Sequence, residues 1–90
     1  MAYYFSFTGI LEIEEGLSMN NPKFTPRRVI YDLHESTYLL QIDFTEGDGI
    51  YPTSRNYPVE NKGEDSLSMS VIVSFINNHP VLQQFAMLTP

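Results

Sequence analysis

The chain has no cysteine. That excludes disulfides and thiolate metal sites, and leaves the redox compartment unread. Positive charge is scarce: five Lys and Arg stand against eleven Asp and Glu, a net charge of −6. Phosphate recognition rests on clustered basic side chains, and Arg27-Arg28, Arg55 and Lys62 do not cluster in sequence. Nucleic acid is therefore not an expected partner. Anionic membrane surfaces are disfavoured for the same reason. No apolar run approaches the roughly 20 residues of a membrane helix. The first residues, Met1-Ala2-Tyr3-Tyr4-Phe5, carry no basic region, and Ser6 and Thr8 interrupt the apolar run that follows. The expectation is a soluble chain in cytoplasm or virion, not secreted through a cleaved signal peptide. There is no internal repeat and no low-complexity tract.

Catalytic and cofactor motifs are equally scarce. Gly47-x-Gly49 lacks the third glycine and the lysine of a phosphate loop. Thr45-Glu46-Gly47-Asp48-Gly49 has the composition of a calcium loop without its ligand spacing or closing glutamate. No serine sits in a nucleophile elbow. Asp32 and His34 are two apart on an expected strand and form the single His-carboxylate pair with sensible local geometry. A metal site or general base there would need a further ligand or nucleophile that no motif supplies, so both are read as surface residues beside a turn. His79, ahead of Pro80, reads as a capping or core residue. The expectation is a protein with no catalytic residue, no cofactor and no metal.

What is present is alternation. Ninety residues make one domain, 1–90, small enough that pairing with another subunit would help its stability. Tyr3 to Glu14 alternates with period two and reads as one strand, with Tyr3, Phe5, Phe7, Leu11 and Ile13 on one face and Gly9 as a gap in that row. Glu15 to Pro26, punctuated by Gly16, Asn20-Asn21-Pro22 and Pro26, reads as connecting chain. Arg27 to Phe44 reads as a hairpin with His34-Glu35-Ser36-Thr37 at its turn. In the expected register Leu33 faces Tyr38, Tyr31 meets Leu40, Val29 meets Ile42, and Arg28 meets Asp43 on the opposite face. Thr45 to Asp65 is long and turn-rich, with one short edge strand expected near Tyr57–Glu60.

The last third carries two competing patterns. Leu67, Met69, Val71, Val73 and Phe75 alternate as in a strand, while Ser66, Ser70, Ser74, Asn77 and Asn78 form a polar helical stripe with Asp65 or Ser66 as N-cap. A helix over Ser66–Asn77 is preferred because it would cover the sheet, and Pro80 then opens a short helix through Met87. The expected fold is α+β: an antiparallel sheet of three or four strands with a C-terminal helix packed on one face. The alternative is a small all-β sandwich or barrel.

These absences, with surplus aromatics in loops and at the N-terminus, point to a non-catalytic structural or adaptor subunit. It would act through protein–protein contacts in a larger assembly, such as a viral particle, with a protein partner or as a homo-oligomer. The alternatives are a small acidic inhibitor that occupies a basic surface of another protein, and a small metal-binding or hydrolytic protein using Asp32 and His34. The expected partner-binding residues are Tyr3, Tyr4 and Phe5, as an added or exchanged strand, and Tyr51, Arg55 and Tyr57 in the long loop.

Overall fold

A computed structural model describes residues 4–59 and 69–88. In chain order the elements are β1 (Tyr4–Ser6), β2 (Ile10–Glu14), β3 (Leu17–Asn20), β4 (Pro22–Asp32), β5 (Thr37–Glu46), β6 (Thr53–Val59), α1 (Met69–Asn78), a single 3-10 turn (Leu82–Gln84) and β7 (Ala86–Leu88). Five strands form one sheet in the order β6-β5-β4-β1-β7, with every neighbour antiparallel. Strands β2 and β3 pair separately as a hairpin.

The expected fold needs correction. The sheet has five strands, not three or four, and α1 is not C-terminal: the chain turns after it and returns to the sheet as β7. The all-β alternative fails as well, because Met69–Asn78 is helical. Residues 66–68 and the proposed N-cap lie outside the described residues. The short helix expected from Pro80 to Met87 is only the 3-10 turn Leu82–Gln84. Phe85 leaves helical geometry at φ −85°, ψ 149°. Its ring goes to the core instead, 4.7 Å from Phe24 and 6.0 Å from Phe7, centre to centre.

The N-terminal alternation forms two strands rather than one. Gly9 sits at φ +117°, in a region that side chains rarely enter. There the chain leaves the large sheet: Gly9 donates to Asn21 Oδ1 at 2.8 Å, and its carbonyl accepts the Asn21 N–H at 2.6 Å. The segment read as connecting chain is then largely strand. Glu15-Gly16 is a tight turn, with Gly16 at φ +84°, that joins β2 to β3. The two prolines of β4 fall where a strand tolerates them: Pro22 is its first residue, and Pro26 adjoins the register shift before Arg28.

That shift brings the core together. Above it Val29 pairs with Leu40 and Tyr31 with Tyr38; below it Pro26 pairs with Ile42 and Phe24 with Phe44. The extra residue, Arg27, changes the parity of β4, so Phe24 joins the same face as Val29 instead of facing water. Five of the six phenylalanines meet there. Phe5 stacks on Phe24 at 4.6 Å and 7°, while Phe44 and Phe85 lie tilted around the pair. Ile13 and Met19 from the β2–β3 hairpin, Ile76 from α1, and Leu82 are buried in the same cluster. One sheet face is thereby covered over most of its length. The other carries Lys23, Thr25, Arg28, Gln41, Asp43, Ser54 and Asn56 by register.

The expected hairpin register was displaced by two residues. Tyr31 faces Tyr38, with rings 4.9 Å apart, and not Leu40; Val29 faces Leu40 and not Ile42; Leu33 belongs to the turn and is 84 % exposed. Arg28 lies opposite Gln41, and it is Arg27 whose Nε approaches Asp43 Oδ2 at 3.3 Å. A shift of two residues keeps every side chain on its face, so alternation does not distinguish the two registers. Turn chemistry does. Asp32 Oδ1 accepts the N–H groups of His34 (3.0 Å) and Glu35 (3.2 Å), and Ser36 takes φ +53°. The turn is therefore Leu33–Ser36, closed by the Asp32–Thr37 pair.

Candidate protein-contact site

The six residues expected to meet a partner are scattered by the fold. Tyr3 lies outside the described residues. Phe5 is buried in the chain's own aromatic core. Tyr4 is half-buried on the open face, where the Lys23 ammonium sits 5.9 Å from the centre of its ring. Strand β1 is therefore an interior strand of its own sheet, flanked by β4 and β7.

Arg55 and Tyr57 are not on a loop. Both lie on β6, an edge strand that includes Tyr57–Val59 of the edge strand expected near Tyr57–Glu60 and begins earlier, at Thr53. By register Arg55 faces Ile42 and Tyr57 faces Leu40. The Arg55 guanidinium is held by the Glu14 carboxylate at 2.5 Å and also donates to the Ser54 carbonyl at 2.9 Å. This ties the β2–β3 hairpin to the edge of the large sheet. Tyr57 packs against Phe75 and His79, with ring centres 6.3 and 5.2 Å away. Burial raises the Tyr57 hydroxyl pKa above its ordinary value; the Glu14 charge adds to the rise, and Arg55 opposes it.

His79 completes that cluster, and its role was visible in outline from the Asn-His-Pro boundary. Its Nδ1 accepts the N–H groups of Val81 (3.2 Å) and Leu82 (3.3 Å), capping the 3-10 turn. Burial holds its pKa below the usual histidine value. Asp32 and His34 do not form a site. The Asp32 carboxylate is engaged by the turn backbone, and the His34 ring projects into solvent, 3.8 Å from Glu35. Among the described residues no group of three or more His, Asp or Glu side chains is arranged to hold a metal ion.

Tyr51 remains. It is 85 % exposed, beside Ile50 at 77 %, on the loop between β5 and β6. The base of that loop is built firmly. Gly49 donates to the Glu46 carbonyl at 2.7 Å, and Gly47 donates to the Asn21 carbonyl at 3.2 Å. The Glu46 carboxylate accepts the Asn20 N–H at 2.7 Å. These bonds join the loop to the open end of the β2–β3 hairpin, where Ile10, paired with Asn20, is also exposed. Ile10, Ile50 and Tyr51 thus stand at one end of the sheet on an anchored backbone. Ile10 and Ile50 had no signal in sequence beyond being isolated apolar positions. Exposure of that kind is decided by what the rest of the chain leaves uncovered. Comparison with protein-family models, with curated proteins and with solved structures gives no match.

Proposed function

We propose that this chain is a non-catalytic protein-contact subunit, and that Ile50 and Tyr51 on the β5–β6 loop anchor its partner, a second copy or another component of a larger assembly. One observation supports this most directly. Phe5, Arg55 and Tyr57 are occupied by the chain's own packing and ion pairing, whereas Ile50 and Tyr51 point into solvent from a hydrogen-bonded loop base. Aromatic anchors on a rigid support are what interface hot spots use, because little side-chain freedom is lost on binding.

The test is the molecular mass in solution across a concentration series, for the wild type and for Ile50→Ser with Tyr51→Ser. The wild type is expected to associate and the double variant to remain monomeric with an unchanged circular dichroism spectrum. A wild-type chain that is monomeric throughout, and that binds no component of its native source more strongly than the double variant does, would overturn the proposal.

A further inference from the structure

We propose that His79 is an acid-sensitive latch: neutral, its Nδ1 holds the 3-10 turn and strand β7 closed, and protonation at that atom loosens both. The geometry assigns the tautomer. Nδ1 faces two N–H donors, Val81 at 3.2 Å and Leu82 at 3.3 Å, so it must carry a lone pair and the ring proton sits on Nε2. A protonated ring has donors at both nitrogens. Nδ1–H would then meet two donors, and both bonds would be lost together. The Val81 and Leu82 N–H groups would lose their side-chain acceptor at the point where the chain turns from α1 toward β7.

What lies downstream makes the loss matter. Leu82 and Phe85 are the buried anchors of the turn, and the three residues of β7 pair with β1 alone. Among the described residues no other strand holds β7, so its opening depends on the turn and on two side chains. Its departure would leave β1 with one unpaired edge, the geometry to which an extended segment adds.

Among the described residues no carboxylate pairs with the His79 ring to hold an imidazolium. From β6 the Tyr57 ring meets His79 edge to face at 5.2 Å, and from α1 Phe75 lies at 5.9 Å. The Tyr57 hydroxyl stays neutral throughout the range in which an imidazole titrates. Glu14 and Arg55 act on Tyr57; among the described residues the influence on His79 is burial, which disfavours its charged form. The linkage follows. The unfolded or opened chain takes up a proton near pH 6.5, before the closed chain does. The closed state is therefore fully favoured above that pH and loses ground as pH falls through the lower value of the folded state.

Amide exchange at Ala86–Leu88 and Tyr4–Ser6, corrected for the intrinsic pH dependence of exchange, tests this in the full chain. The expected result is acceleration below pH 6.5, by up to about tenfold per pH unit, the limit for one linked proton. The titration of His79 in the folded chain, read by NMR, should lie below 6.5 and mark the pH at which the acceleration levels off. There are two histidines, and His34 is exposed in the β4–β5 turn, so His34→Ala should leave the effect unchanged. His79→Asn offers a side-chain oxygen to the same N–H groups without titrating, and should keep β7 protected across the range. His79→Ala should show fast exchange at every pH; if that variant does not fold, the wild type and His79→Asn decide. Equal acid acceleration in the wild type and His79→Asn, or none in the wild type, overturns the latch.

Discussion

The β4–β5 ladder has two ends that share one alternating pattern and meet opposite fates. At its base Phe24 and Phe44 pair and are fully buried, at 1 % and 0 % exposure. At its tip Tyr31 and Tyr38 pair on the same face and are only half-covered, and Leu33 just beyond them lies in solvent. Backbone pairing is equally regular at both ends. The difference lies in the second layer. The base is flanked by Phe5 on the neighbouring strand β1 and packs with Phe85, Ile13 and Met19, residues from both ends of the chain. At the tip Tyr38 reaches only the margin of that cluster, beside buried Val59, and Tyr31 is 46 % exposed. A period-two pattern marks which side chains share a face, and a separate event decides whether that face meets water.

Mutations along the ladder break or sharpen that contrast. Phe44→Ala removes the centre of the aromatic cluster and should cost about 3–5 kcal/mol, read as a fall in the urea midpoint. On a domain this small that would unfold much of the population. Leu40→Ala, midway along the strand and 1 % exposed, should cost about 2–4 kcal/mol by the same measurement. An unchanged midpoint for either variant would mean that the base is no better packed than the tip.

Smaller effects belong to the tip and the open face. Asp32→Ala deletes the acceptor of two turn N–H groups and should cost about 1 kcal/mol, because those groups are exposed and water replaces the carboxylate. Its exchange signature should be confined to Leu33–Ser36. Arg27→Ala should cost less than about 1 kcal/mol, with the loss shrinking in high salt, since the Arg27 side chain is half-exposed and solvent screens its pairing with Asp43. Arg28→Ala should cost less again, a direct check on which of the two arginines the bulge turns toward Asp43. Leu33→Ser should shift stability by no more than about 0.5 kcal/mol despite deleting a large apolar side chain. A marked loss there would show that the tip is covered after all.

Much of the candidate site was hidden from sequence for one reason. Tyr51, Tyr57, Tyr4 and Phe5 are similar in composition and local setting, and each reads as an anchor. Only packing separates them: Phe24 takes Phe5, Phe75 and His79 take Tyr57, Lys23 covers Tyr4, and Tyr51 is left over. Those partners are distant in the chain, so no local pattern announces them.

By itself the sequence determined the local features. Alternation put Tyr38, Leu40, Ile42 and Phe44 on one face, because successive strand side chains point in opposite directions. The Asn-His-Pro boundary ended α1, and the polar stripe over Ser70 and Ser74 fitted a helix there. Tertiary structure decided the rest. The choice between hairpin registers two residues apart lay in the local turn at Asp32, but tertiary structure set the extra residue Arg27 into β4 and so the face that Phe24 takes. It divided the N-terminal alternation at Gly9, where Asn21 receives the turned chain. It drew Phe85 out of a helical segment and into the aromatic cluster. Burying a large ring among Phe7, Phe24 and Phe44 outweighs the small intrinsic preference of a few residues for one more turn of helix.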